Sequence, residues 1–267
     1  MFPASDGTLL IVGGGRMGEA LLAGLLAAGR PATELGVAEV SASRRRQLSA
    51  AYPQVTIAEG VAPCAGAVLV VKPADVPAAA RAVADAGVRR VLSVAAGVTT
   101  ASIEEAAGRA LAVVRAMPNT PALIGAGAAA ISPGSAADAE DLAWAEEILG
   151  AVGVVVRVPE KALDAVTGLS GSGPAYVFLV AEAMVEAGVL AGLPRDVAET
   201  LTFQTLLGSA RLLADGESTP AALRAAVTSP GGTTAAGVRE LERRGVRAAF
   251  LDAVAAATER SRELGQR

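Results

Sequence analysis

The spacing of apolar positions changes character near residue 160. Before it, short β-type runs at 8–12, 35–40, 55–57, 67–71, 91–94, 112–116, 126–131 and 153–158 alternate with helical stretches. The first helical stretch has Leu21, Leu22, Leu25 and Leu26 on one face and Gly29 as its C-terminal cap; others are predicted at 43–50, 76–86, 103–107 and 136–149. Strand and helix alternating in this way predict a parallel sheet with right-handed crossovers. After it, 161–168, 174–191, 195–214, 220–227, 234–244 and 247–264 all follow the helical period, with no strand between them. The expected organisation is an α/β part over 1–159 and an all-α part over 160–267.

Composition narrows the classes. The chain is 52% apolar, with a mean hydropathy of +0.46, and much of that is alanine. Such a surplus of apolar helix surface points to burial in an oligomer more than in a membrane. No stretch of 18 apolar residues is free of charge and proline, so no spanning helix is indicated. The start of the chain lacks a basic segment followed by an apolar run, which reads as cytoplasmic. A net charge of −4 gives no electrostatic reason to expect nucleic acid. Cys64 is the only cysteine and histidine is absent, so internal disulfides, His triads and Cys or His metal sites are not expected. Chemistry in this chain must need little help from a group titrating near neutrality. Hydride transfer fits, because a bound cofactor supplies the reactivity.

Two segments look built for anions. Gly13-Gly14-Gly15-Arg16-Met17-Gly18 follows a strand and opens a helix, as in dinucleotide-binding loops. Gly13 permits the turn, Gly15 lets a pyrophosphate approach the backbone, and Gly18 allows close helix–strand packing. Glu39, at the end of the second strand, stands where an acid binds ribose hydroxyls and favours NAD over NADP. Arg44, Arg45 and Arg46 oppose that reading if they reach a phosphate; otherwise they are a solvated helix start. The second segment is Thr228-Ser229-Pro230-Gly231-Gly232-Thr233-Thr234, a glycine pair between hydroxyls leading into a helix. Free amides and the helix dipole suit a small carboxylate there.

Three further segments stand out. Val71-Lys72-Pro73 ends the fourth strand where open α/β sheets bind ligands, and Lys72 is one of only two lysines. Arg115-Ala116-Met117-Pro118-Asn119-Thr120-Pro121 follows a strand with a proline-stiffened loop that directs Asn119 toward a nicotinamide. Ser170-Gly171-Ser172-Gly173-Pro174-Ala175-Tyr176 reads as a helix start with Pro174 at its first position. Each is also compatible with a purely structural role.

Together, Gly13–Gly18, Val71–Pro73, Arg115–Pro121, Ser170–Tyr176 and Thr228–Thr234 closely resemble the pyrroline-5-carboxylate reductase family, in order from about residue 8 to 264. The resemblance implies an N-terminal Rossmann domain and a helical C-terminal domain for substrate binding and dimerisation, with some members forming pentamers of dimers. It implies reduction of 1-pyrroline-5-carboxylate to L-proline by NAD(P)H, the last step of proline synthesis. Carried over, Gly13, Gly15, Arg16, Met17 and Gly18 bind pyrophosphate, while Val71–Pro73, Ala95, Ala96, Gly97 and Asn119 line the cofactor cleft. Ser229, Gly231, Gly232, Thr233 and Thr234 hold the substrate carboxylate, with Thr234 near the ring nitrogen; Lys72 joins Ser229 and Thr234 as a catalytic candidate. Members favouring NADP usually carry an Asn-Arg type sequence after strand two, where this chain has Glu39-Val40.

A β-hydroxyacid dehydrogenase is the main enzymatic rival. It needs a lysine on the first long helix of the second domain, and the helix at 174–191 carries only Glu182 and Glu186 as charges. A nucleotide-binding sensor that has lost catalysis is the non-enzymatic rival, and it leaves the retention of all five segments unexplained.

Overall fold

The computed structural model describes residues 7–265; positions 1–6 and 266–267 of the two expected spans lie outside the described residues. Eight strands, β1 (Leu9–Val12), β2 (Leu35–Ala38), β3 (Thr56–Ala58), β4 (Gly66–Leu69), β5 (Arg90–Ser93), β6 (Ala112–Met117), β7 (Gly127–Pro133) and β8 (Gly153–Arg157), form one sheet. Their order is β3-β2-β1-β4-β5-β6-β7-β8. Each corresponds to a run read from the sequence; β1, β2 and β4 are buried along their whole length, as strands covered on both faces are apolar throughout, whereas Val154 and Val156 of β8 are exposed.

Period-two alternation decides which core each side chain joins. Leu9 and Ile11 face α1 (Arg16–Ala27), α2 (Ala42–Ala51) and α5 (Ala139–Gly150), while Leu10 and Val12 face α3 (Val76–Asp85) and α4 (Thr100–Ala107). Leu21 and Leu22 of α1 are fully buried, each contributing about 2 kcal/mol of apolar burial.

One pair breaks the parallel expectation: β7 runs antiparallel to β6, and every other pair is parallel. Only residues 118–126, including a short 3-10 turn at Thr120–Ile124, join the two strands. A parallel crossover needs about a dozen residues or more, so this connection permits only the reversal. The helix expected from 136 begins at Ala139, because the Asp138 carboxylate accepts from the amides of Glu140 and Asp141 and starts the helix there.

The chain divides into two compact units. One takes the described residues through Ser172 together with those from Ala255 on, and the other is Gly173–Val254. In the first, α6 (Leu163–Val166) passes into a π-type turn, Thr167–Gly171, which overlaps the end of the helix expected at 161–168 and the start expected from Ser170. The second unit contains α7 (Gly173–Leu190), α8 (Arg195–Ala214), α9 (Pro220–Ala226) and α10 (Thr233–Arg243). Pro174 is the second residue of α7, one later than expected. The last helix, α11 (Val246–Gly265), starts in the second unit and finishes in the first.

Within the helical unit α7 is apolar on nearly every side yet buries only Ala181 and Val185, and Phe178, Leu179, Leu201, Phe203 and Leu212 lie exposed. A helix of this kind needs more cover than its own chain gives. The helical run Glu160–Leu190 is long and apolar enough to cross a membrane by length and composition alone, and it carries Pro174, Glu182 and Glu186.

Candidate active site

The sheet order places a topological switch between β1 and β4, since the chain leaves β1 toward β2 and returns on the other side at β4. Open α/β sheets bind ligands at the carboxyl ends of strands beside such a switch. Gly13 follows β1, Glu39 follows β2, Val71–Pro73 follow β4, Ala95–Gly97 follow β5 and Asn119 follows β6. Five separate sequence expectations thus meet along one strand edge.

The glycine loop has the shape of a phosphate cradle. Gly13 has φ +108°, which disfavours any side chain, and its amide donates to Ala38 O at 2.8 Å. A Cβ on Gly18 would overlap the Gly13 carbonyl, so α1 and β1 meet only because position 18 has no side chain. Beside Gly15 there is open space. The amides of Arg16, Met17 and Gly18 have no acceptor among the described residues, and no side chain caps α1. Unpaired amides, a helix dipole and clear space fit a dinucleotide pyrophosphate.

Glu39 lies at this loop rather than free in solvent. Its two carboxylate oxygens accept from the amides of Gly14 (2.9 Å) and Ser41 (2.8 Å). Arg44 donates through Nε to Gly14 O at 2.6 Å and forms an ion pair with Glu19, while Arg45 donates to the carbonyls of Glu39 and Val40, each at 2.8 Å. Both arginines are therefore held by the protein, which neither alternative raised by the sequence anticipated. Burial and the neighbouring Glu19 carboxylate push the Tyr52 hydroxyl above its usual pKa, in keeping with its hydrogen bond to Glu19.

The other edge residues divide by what they touch. Lys72 is exposed and precedes a 3-10 turn, Pro73–Asp75. Gly97 has φ +75° and approaches the backbone of Gly265 at the end of α11. The Asn119 carboxamide, expected to face a nicotinamide, is engaged at both ends: Oδ1 accepts from the Ala128 amide (2.9 Å) and Nδ2 donates to Ser170 O (3.1 Å). In this geometry Asn119 shapes the loop by tying it to β7 and the π-type turn.

A partly buried ion pair holds the start of α4 and was not foreseen. Arg115 of β6 is 6% exposed and pairs with Glu160 at 3.1 Å. Glu160 also accepts from the Thr100 amide (2.8 Å) and hydroxyl (2.9 Å) at the start of α4. A charged residue inside an apolar strand was the available signal, because such a residue is seldom buried without a partner.

The second anion-binding segment belongs to the helical unit. Gly232 N–H donates to Ser229 O at 3.1 Å, with Pro230 and Gly231 between them and Gly231 at φ +70°. These are the features of a type II turn. Gly232 then caps α10 without side-chain help, so the helix starts at Thr233, one residue before the expected position. The Ser229, Thr233 and Thr234 hydroxyls and the amides of Thr233, Thr234 and Ala235 have no partner among the described residues. Three hydroxyls and three amides thus surround one helix start. Cys64 plays no comparable part, since burial pushes its thiol up to about 11 and keeps it protonated at neutral pH.

Comparison with known proteins agrees with this geometry. The family model described as pyrroline-5-carboxylate reductase dimerisation matches residues 160–264, and one described as NADP oxidoreductase coenzyme F420-dependent matches residues 8–97. A pyrroline-5-carboxylate reductase of Synechocystis is 46% identical over 263 residues, covering 96% of this chain and 98% of that one. The Mycobacterium tuberculosis enzyme of that name is 45% identical over 283 residues, covering 96% of each. Among solved structures, a pyrroline-5-carboxylate reductase from Coxiella burnetii superposes with a TM-score of 0.92 at 36% identity, covering 97% of this chain and 99% of that one. Plasmodium falciparum pyrroline carboxylate reductase with NADP bound gives 0.84 at 27% identity, covering 98% and 100%. With the glycine cradle at the switch point and relatives matched nearly end to end, this chain belongs to the pyrroline-5-carboxylate reductase family and is an oxidoreductase that uses a pyridine nucleotide.

Proposed function

We propose that the protein reduces the C=N bond of 1-pyrroline-5-carboxylate to give L-proline, working as a cytoplasmic homodimer that can assemble further into a pentamer of dimers. The observation that carries the substrate reading is the Ser229–Gly232 turn, which leaves hydroxyls and amides free at the start of α10. Support for the dimer comes from the dimerisation match over 160–264 and from the uncovered apolar side chains of α7 and α8. On this reading the apolar run Glu160–Leu190 is covered by a second copy of the chain rather than by lipid.

The nicotinamide, when bound, supplies the hydride. The chain's own residues bind, orient and shield. The amides of Arg16, Met17 and Gly18 hold the pyrophosphate, and Val71–Pro73 with Ala95–Gly97 border the cleft. Ser229, Gly231, Gly232 and Thr233 hold the substrate carboxylate, and the Thr234 hydroxyl stands near the ring nitrogen. Protonation of that nitrogen by solvent makes the ring carbon a better hydride acceptor, so no histidine is needed. Fixing the carboxylate is the chain's main contribution, because orientation lowers the barrier without a titrating group.

Thr234→Ala should lower kcat/KM for pyrroline-5-carboxylate by roughly 10- to 100-fold, the scale of one hydrogen bond to a charged or reacting group. NADH dissociation, measured by fluorescence titration, should stay as in the parent enzyme. Normal substrate kinetics in that variant would remove Thr234 from the site.

NAD is the proposed preferred cofactor. Glu39 places a carboxylate where a 2′-phosphate would lie, and Arg44 and Arg45 are occupied elsewhere. Glu39→Ser should shift the NADPH-to-NADH ratio of kcat/KM toward NADPH by about tenfold, or about 1.4 kcal/mol. Both cofactors should also bind somewhat more weakly, since Gly14 loses its acceptor. An unchanged ratio would take Glu39 out of the selection. Following NADH and NADPH oxidation by absorbance with added pyrroline-5-carboxylate tests the reaction itself, and a flat trace with both would favour the sensor reading.

A further inference from the structure

We infer that Arg44 is a positioning residue for the dinucleotide loop and not a ligand of an adenosine 2′-phosphate. The inference rests on the reading of Gly13–Gly18 as the cofactor cradle.

Gly14 is gripped through both peptide groups it joins. Its N–H is held by Glu39 from the end of β2 (2.9 Å), and its C=O is held by Arg44 from the first turn of α2 (2.6 Å). Leu48 of the same helix closes over it, since a Cβ on Gly14 would come within 2.6 Å of Leu48 Cδ1. Holding the Gly14 carbonyl fixes the plane of the Gly14–Gly15 peptide, and with it the Gly15 amide at the N-cap of α1. Ionic hydrogen bonds of this kind are short and directional, so they hold a flexible glycine segment well.

Arg44 also acts on charge. Glu19 lies in the first turn of α1, about one turn from where a pyrophosphate would bind. Uncompensated, its carboxylate would cancel part of the positive potential at the helix N-terminus and repel a bound pyrophosphate. The Arg44 guanidinium pairs with Glu19, and both side chains are about one-quarter to one-third exposed, so solvent screens the pair only in part. Its remaining nitrogen donates to Gln47 Oε1 at 3.2 Å. Every arm of Arg44 is therefore engaged within the protein. These contacts use three of its five N–H groups, and turning the guanidinium toward a ribose phosphate would loosen its hold on Gly14 and Glu19.

Two consequences separate this role from direct phosphate binding. A positioning residue affects NADH and NADPH alike, whereas a phosphate ligand affects NADPH alone. Part of the loss should also be recoverable through Glu19, because removing the unpaired carboxylate restores the charge balance without restoring the grip on Gly14.

The test uses the full-length enzyme and titrates NADH and NADPH separately against the parent, Arg44→Ala, Arg44→Lys, Glu19→Gln and the Glu19→Gln/Arg44→Ala double variant. Steady-state kinetics and thermal melting accompany each titration. Arg44→Ala should weaken both cofactors about tenfold, with kcat at saturating cofactor and KM for pyrroline-5-carboxylate close to the parent. Arg44→Lys should keep part of the affinity, and the double variant should recover several-fold over Arg44→Ala. Loss confined to NADPH would make Arg44 a phosphate ligand and overturn the inference, as would unchanged affinity for both. A fall in kcat equal to the fall in affinity, with a lowered melting temperature, would mean a general structural role and also overturn it. If the parent itself bound neither dinucleotide, the reading of the cradle would fail before that of Arg44.

Discussion

Gly18→Ala is expected to abolish useful cofactor binding, raising the dissociation constant for NADH by about a hundredfold. The methyl group would overlap the Gly13 carbonyl of the loop and press on Ile11 Cγ2 of β1 at 3.3 Å. Over-packing of this severity costs about 3 kcal/mol of stability, and relieving it by moving the Gly13 carbonyl deforms the cradle, which is what weakens the cofactor. Gly15→Ala makes the informative contrast. Its Cβ meets nothing within 4 Å in the protein, so that variant should melt like the parent and still bind NADH poorly, because the added methyl occupies space the pyrophosphate requires. Titration with NADH beside thermal melting separates the two effects. Parent-like affinity in Gly15→Ala would mean that the ligand does not approach the backbone there.

Glu160→Ala should be the most destabilising change of a polar residue, by about 3 kcal/mol. The cause is what remains: the Arg115 side chain, 8% exposed, would have no counter-charge, and the Thr100 amide and hydroxyl would lose their acceptors. For a chain of this size that corresponds to a melting point lower by roughly 6–12 °C. Arg115→Met added to Glu160→Ala should recover part of the loss, since removing both charges removes the unpaired one. A double variant as unstable as the single one would show that the Thr100 contacts, not the ion pair, carry the effect. The network also supports the Ala95–Gly97 loop, which leads directly into α4, so a lasting cofactor defect in the rescued double variant would assign Glu160 a part in shaping that loop.

Much of the first unit was legible in the sequence because its signals are local. A fully covered strand is a short apolar run, and a glycine cluster between strand and helix has few other uses. The reversal at β7 was not legible, since apolar alternation carries no direction; only the shortness of 118–126 could have hinted at it. Asn119 lies on the loop after β6, and its role in tying that loop to Ala128 and Ser170 depends on segments distant in sequence. Arg44 shows the same limit. From the sequence it could be a phosphate ligand or a solvated side chain, and the partners that define it, Gly14 and Glu19, lie 30 and 25 positions away. Side-chain targets across such separations have no periodic signature. Alanine-rich helices such as α7 announced themselves as helices, yet their period said little about which face meets which neighbour.

The return of α11 has a bearing on how the protein is made. From Ala255 the last helix belongs to the dinucleotide-binding unit, where Ser261 donates to Asp164 at 2.7 Å and Gly265 lies against Gly97. The helical unit is thus an insertion, in sequence, between two parts of the first unit. Domains commonly fold as units during synthesis, N-terminal first. Here the first unit must wait, incomplete at Gly97 and Asp164, until more than 80 residues of the second have been translated, so the order of synthesis and the order of completion are reversed.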